Sequence, residues 1–188
     1  FKGRSQKSAR FDRIMDNDKV ILVNEHDDMV GIMDKIEAHK QGLLHRAFSI
    51  FIFNTKGEML LQQRAFSKYH SGGLWTNACC SHPLPGEKTK DAAQRRLMEE
   101  LGFETPVEKI FDFVYKATFD NGLTEHEFDH VFAGEYEGQL NINPGEVKDC
   151  CYKEFSEIKD TMQTHPQKYT AWFHIAFPLV RKWKESAG

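Results

Sequence analysis

The residues of this chain best suited to hold a cation are two glutamates one residue apart, Glu125 and Glu127, in a segment that reads as a strand. Strand alternation sends both carboxylates to one face and His126 to the other. Such carboxylates repel each other unless a cation or proton sits between them, although a solvated acidic face is the commoner use of such a pair. Histidines change that balance. His39 and His45 flank Gly42 ahead of an apolar run, and His82 follows Cys80 by two residues, so three imidazoles can meet the two carboxylates. This donor set suits Mn²⁺, Zn²⁺ or Fe²⁺, and five or six ligands favour an octahedral ion over a tetrahedral structural zinc.

A second group mixes guanidinium and carboxylate on one helix, from Arg95 and Arg96 to Glu99 and Glu100. Taken alone it is an ordinary surface helix with Arg–Glu pairs at helical spacing. Lys35, Arg64, Lys68 and Arg96 together make a clamp for a small diphosphate, though scattered cations are usually solvated surface. Tyr115 and Trp172 fall on apolar faces and would ordinarily be core. An aromatic ring in a closed pocket also stabilises a carbocation, by roughly 0.5–2 kcal/mol.

These residues need elements to carry them. Val20 to Asn24 reads as a first strand followed by a polar turn through Asp28, and Ala47 to Phe53 as a buried strand joined by Asn54–Gly57 to a partner at Glu58 to Gln63. A long loop to about residue 88 holds Trp75, Cys80 and His82 among Gly and Pro breakers. Thr89 to Leu101 reads as a helix with Thr89 as N-cap and Gly102 as terminator. Phe111 to Phe119 and Leu123 to Phe132 form a hairpin about Asp120-Asn121-Gly122. Thr170 to Lys184 is an amphipathic helix with an apolar stripe of Trp172, Ile175, Leu179 and Trp183, kinked at Pro178. Mixed strands and helices in this order indicate an α/β or α+β fold.

At 188 residues one domain, spanning 19–188, is expected, preceded by a polar, basic arm over 1–18. The formal charge of −3 offers no general attraction to nucleic acid or anionic lipid. No apolar run is long enough to span a membrane and no secretory h-region is visible, which gives a cytoplasmic expectation. The cysteines fall in two vicinal pairs, Cys79/Cys80 and Cys150/Cys151, without CxxC spacing, so free thiols are expected.

Taken together, Trp75-Thr76-Asn77-Ala78-Cys79-Cys80-Ser81-His82-Pro83, the Arg95–Phe103 segment with Glu87 eight residues before Arg95, and Glu125-His126-Glu127 resemble the type I isopentenyl-diphosphate isomerases. Gly42 to Phe48 and Leu60 to Arg64 extend the resemblance, which runs from residue 20 to about 183. The helix resembles a Nudix box with two departures: Ser81 replaces its leading glycine and Arg96 its first helix glutamate. Losing that carboxylate and gaining a guanidinium favours diphosphate binding over diphosphate cleavage. The His39–His45 interval is a residue shorter than in some relatives.

The resemblance implies a Nudix-like mixed sheet sandwiched by helices, and a 1,3-allylic proton transfer between isopentenyl and dimethylallyl diphosphate. It implies Cys80 on one side of the substrate and Glu127 with Tyr115 on the other. His39, His45, His82, Glu125 and Glu127 would hold Mn²⁺, Zn²⁺ or Mg²⁺, and Glu100 a diphosphate-linked Mg²⁺. Lys35, Arg64, Lys68 and Arg96 would bind diphosphate, and Trp172 would wall or cover the hydrocarbon pocket. No redox cofactor, nucleic acid or membrane is called for; the partner is a small isoprenoid diphosphate, and oligomeric state is left open. A hydrolase of nucleoside diphosphate derivatives and a metal-stabilised binding protein are the competing readings, and a cysteine hydrolase lacks an oxyanion motif.

Overall fold

His45–Phe53 (HRAFSIFIF) is apolar at almost every position, as a strand must be when it is covered on both faces. The computed structural model, which describes residues 19–187, places this strand at the centre of one mixed sheet. The strands in chain order are Lys19–Val23 (β1), Met29–Asp34 (β2), His45–Phe53 (β3), Met59–Arg64 (β4), Trp75–Asn77 (β5), Cys79–Ser81 (β6), Val107–Thr118 (β7), Thr124–Glu135 (β8) and Val147–Lys153 (β9). The α-helices are Lys35–Gln41 (α1), Thr89–Leu101 (α2), Phe155–Thr164 (α3) and Ala171–Ala187 (α4). The expected arm over 1–18 lies outside the described residues.

β3 pairs in parallel with β8 from His45↔Glu127 to Phe53↔Glu135, and antiparallel with β6 from Phe48↔Ser81 to Ile50↔Cys79. Its alternate side chains feed two cores. Phe48, Ile50 and Ile52 pack with Ala93, Leu97 and Leu101 of α2, whereas Phe51 and Phe53 pack with Ile158 of α3 and Phe173, Phe177 and Val180 of α4. Helices therefore cover both faces of the sheet, and the fold is α+β as expected.

Several local expectations change. The turn after Phe53 joins β3 to β4, but the two strands pair only at Phe53↔Met59; β4 then pairs with β5 and β9. The chain after β1 turns back as β2, antiparallel to it. The segment read as an irregular loop contains β5 and β6. Thr89 is the first helical residue of α2 rather than its cap: Lys88 occupies that position and makes no side-chain cap bond. Gly102 ends the helix as expected, with φ 73° and its N–H directed to the carbonyls of Leu97 and Met98. On α4 the buried face is Phe173, Ala176, Phe177 and Val180, while Ile175 and Leu179 of the expected stripe are 40% and 41% exposed.

Candidate active site

The long β7–β8 hairpin and its parallel pairing with β3 assemble one end of the site. Register sets Tyr115 opposite Glu127 on one side of β8 and His45 opposite Glu127 on the other. Alternation along β8 turns Glu125, Glu127 and Asp129 inward, all nearly solvent-free. His126 points away and its Nδ1 meets the Gly42 carbonyl at 3.0 Å. The Tyr115 hydroxyl reaches Glu125 at 2.9 Å and Glu127 at 2.7 Å, one proton shared between two carboxylates.

Helix α1 delivers His39. Asp34 caps the helix by accepting from the Glu37 N–H, and Gly42, at φ 61°, ends it and redirects the chain into β3. His39 Nδ1 is 2.6 Å from the Lys35 carbonyl, and His45 Nδ1 is 2.8 Å from the Leu43 carbonyl. A carbonyl only accepts, so each Nδ1 carries a proton, and Nε2 is the ring nitrogen left to bind a cation when the imidazole is neutral. Both Nε2 atoms are buried without a hydrogen-bond partner. His82, just past β6, brings its Nε2 to 2.9 Å from Glu127.

Donor atoms of His39, His45, His82 and Glu127 lie within 4.8 Å of one another, as do those of His39, His70 and Glu125. Burial pushes His39 and His82 down to about 4, keeping them neutral as ligands must be. Burial and the neighbouring Glu127 charge raise Glu125; burial opposes the Glu127 charge too, but His45 and His82 outweigh it and hold that carboxyl well below its usual range. Orphaned, pre-oriented imidazole nitrogens facing buried carboxylates fit a divalent cation and have no other partner that would justify their burial.

Strand alternation also separates the adjacent thiols. Cys79 is packed in the core against α2, while Cys80 turns toward the cavity. The Cys80 thiol donates to Asn77 Oδ1 at 3.0 Å and accepts from Trp172 Nε1–H at 3.0 Å, with Ser49 Oγ at 3.5 Å. Burial, with the Asp129 charge behind Ser49, pushes its pKa up to about 12, so the sulfur is a thiol rather than a thiolate.

The cavity, about 250 Å³, is lined by Cys80, Tyr115, Glu127 and Trp172 and also by Lys35, Arg64, Lys68 and Arg96. Arg64 stands over the Trp172 ring at 5.2 Å and Lys35 over the Tyr69 ring at 5.2 Å. Lys68 pairs with Glu146. Arg96 reaches Glu99 at 2.7 Å, Glu100 at 2.6 Å and Glu146 at 3.4 Å. Glu100, also bonded by Gln62 at 3.0 Å, belongs to neither His/Glu group. Sequence reasoning missed Ser49, His70, Asp129 and Glu146. Asp129 was available from the alternation that gave Glu125 and Glu127; His70 and Glu146 sit in irregular segments where spacing carries no information.

Comparison with known proteins agrees with this geometry. Residues 43–173 match the family model described as NUDIX domain. The chain is 50% identical over 163 residues to isopentenyl-diphosphate Delta-isomerase 2 of Aromatoleum aromaticum, covering 87% of this chain and 86% of that one. It is 49% identical to isopentenyl-diphosphate Delta-isomerase of Pectobacterium atrosepticum, covering 86% and 90%. Among solved structures, DR0079 of Deinococcus radiodurans superposes with a TM-score of 0.65 at 17% identity, over 78% of this chain and 90% of that one. A MutT protein of Methanosarcina mazei gives 0.62 at 18% identity, over 77% and 95%. No helix among the described residues is long and apolar enough to cross a membrane.

Proposed function

The chain belongs to the isopentenyl-diphosphate Delta-isomerases of the NUDIX family, and on that premise we propose that Cys80 and the Tyr115–Glu127 pair exchange the protons by which it interconverts isopentenyl and dimethylallyl diphosphate. The observation that carries the reading is that a neutral thiol and a hydroxyl–carboxylate pair line the same cavity as four cationic side chains. Lys35, Arg64, Lys68 and Arg96 bind the diphosphate, which is not cleaved, and this remote binding energy holds the five-carbon end between the proton-bearing groups.

One group adds a proton to the terminal alkene carbon, giving a tertiary carbocation; the other removes a proton from the carbon on the far side of it, and the double bond has moved. Two acid–base groups are required because the two protons are not the same. Asn77 fixes the thiol hydrogen, and the Trp172 N–H steadies the sulfur when that hydrogen leaves. The Trp172 ring face lies against the transient cation, and the enclosing walls keep water from trapping it. His39, His45, His82, Glu125 and Glu127 would hold a divalent ion, Mn²⁺, Zn²⁺ or Mg²⁺, and Glu100 a Mg²⁺ carried in with the diphosphate. Such ions supply positive charge that balances the buried carboxylates and the phosphate oxygens.

The test is deuterium incorporation from D₂O into the isoprenoid diphosphates with Mg²⁺ and Mn²⁺ present. Wild type is expected to yield labelled dimethylallyl diphosphate, and Cys80→Ala and Glu127→Gln to yield none above background. Inorganic phosphate or pyrophosphate release without label would instead support a hydrolase.

A further inference from the structure

His70 stands in the irregular segment between β4 and β5, where neither periodicity nor spacing marks it. It is nonetheless a fixed and buried side chain. Arg64 donates to the His70 carbonyl at 3.2 Å, and the Gly73 N–H returns to the Arg64 carbonyl at 3.0 Å. Ser71 holds a left-handed φ of 52°, and a Cβ at Gly72 would lie 2.7 Å from the Phe66 carbonyl oxygen, so the loop has little room to relax. The imidazole stacks on Phe119 at 4.6 Å and meets Tyr69 edge-on at 4.4 Å, leaving its side chain 2% exposed.

Its Nδ1 faces Ser71 Oγ at 3.2 Å, and its Nε2 comes within 2.9 Å of Glu125 Oε1. That close approach is not a hydrogen bond: the nitrogen is buried without a partner of acceptable geometry. A nitrogen and a carboxylate oxygen so close, with no well-aimed N–H between them, are arranged as two donors to one cation would be. The spacing is compatible with this. Donors bound at right angles, each about 2.1 Å from an ion, are about 3 Å apart. The His70–Glu125 and His82–Glu127 separations are both 2.9 Å.

His39 connects the two donor groups. It belongs to both donor groups, yet its Nδ1 is committed to the Lys35 carbonyl, so only Nε2 can bind a metal. Its Nε2 is thus the point where the two groups meet, and the Tyr115 hydroxyl links them a second time through Glu125 and Glu127.

We propose that His70 is a sixth protein donor to the metal centre, joining His39, His45, His82, Glu125 and Glu127. This rests on the reading above that those five hold a divalent ion. Six side-chain donors fill an octahedron and leave no position for a bound water. A centre closed in this way neither generates hydroxide nor admits water beside a carbocation, which matches an isomerase better than a hydrolase.

The experiment is Mn²⁺ titration of the chelator-stripped full chain, followed by electron paramagnetic resonance for affinity and by water-proton relaxation for exchangeable water on the ion. Wild type should bind Mn²⁺ with little relaxation enhancement. His70→Ala should lose at least about tenfold in affinity and gain relaxivity as water enters, and added imidazole should reverse both. His70→Phe fills the same space against Phe119 but offers no donor atom, so it should behave as His70→Ala. Circular dichroism of the stripped variants checks that each is folded. Wild-type affinity and relaxivity in His70→Ala, or their full recovery in His70→Phe, would overturn the proposal while leaving the five-residue reading intact. Absence of Mn²⁺ uptake by wild type would overturn that reading and this one with it.

Discussion

In the proposed proton transfer, Cys80 would depend on its neighbours more than on its own chemistry. A thiol pushed up to about 12 by burial and by Asp129 is a weak acid, so whatever stabilises the departing proton's sulfur counts heavily. The Trp172 N–H, 3.0 Å from Sγ, is one such group, while the ring face acts on the substrate cation instead. The two contributions separate by substitution. Trp172→Phe keeps an aromatic face and deletes the N–H, and is expected to lower kcat by about tenfold with KM within about twofold, the size of one hydrogen bond to a developing charge. Trp172→Leu deletes both, and a further loss of up to about 2 kcal/mol in transition-state stabilisation is expected from the missing π face. Steady-state formation of dimethylallyl diphosphate measures both. Equal kcat values in the two variants would show that the ring face contributes nothing.

The link between Glu87 and Arg95 ties the loop that follows β6, with His82 at its start, to helix α2. Arg95 grips the carboxylate with Nε at 2.7 Å and Nη2 at 2.9 Å, and the Leu84 N–H adds a third bond at 2.9 Å. Burial opposes the Glu87 charge, but the Arg95 and Leu84 hydrogen bonds outweigh it and hold its pKa below the usual 4.5. A lowered folded-state pKa gives stability that is fully present above the ordinary value and is lost as pH falls through the folded value. Glu87→Gln is therefore expected to cost about 1 kcal/mol at neutral pH, and the two proteins to converge below pH 4.5 in urea melts. A constant difference down to pH 2.5 or so would refute the ionic origin. The elements bearing this clamp were legible because their information is local: four-residue spacing and Gly102 bound α2, and Asn121-Gly122 fixes the hairpin. What was hidden depends on distant chain. β2 and β9 are half-exposed strands defined by their partners, and α4 is apolar on more than one side, so only the position of the sheet selects Phe173 over Ile175. The candidate ligands on regular elements could be read in the same way, whereas His70 became visible only when the chain brought Glu125 beside it.

Across the whole molecule, the candidate cation site lies apart from the two larger hydrophobic cores. Phe48, Ile50 and Ile52 on one face of β3, and Phe51 and Phe53 on the other, build those cores with no side chain from the His/Glu groups. The fold should therefore survive chelation, unlike a small domain whose only core is its metal. Yet the stripped protein carries buried imidazole nitrogens without partners and two carboxylates joined by one tyrosine proton, and an ion relieves both costs in the folded state alone. Mass action then sets the size of the effect: an ion at a hundred times its Kd stabilises by about 2.7 kcal/mol. For a domain of this length each kcal/mol shifts Tm by about 2–4 °C, so saturating Mn²⁺ or Zn²⁺ should raise the melting temperature of the stripped protein by roughly 5–10 °C. His45→Ala removes a wholly buried donor whose Nδ1 anchor to Leu43 pre-orients it, and its metal-induced rise should vanish while the metal-free protein still melts cooperatively. Differential scanning calorimetry with and without the ion decides the matter: an equal rise in wild type and His45→Ala would place the stabilising ion elsewhere, and loss of a cooperative transition on chelation would mean that the two cores do not suffice without it.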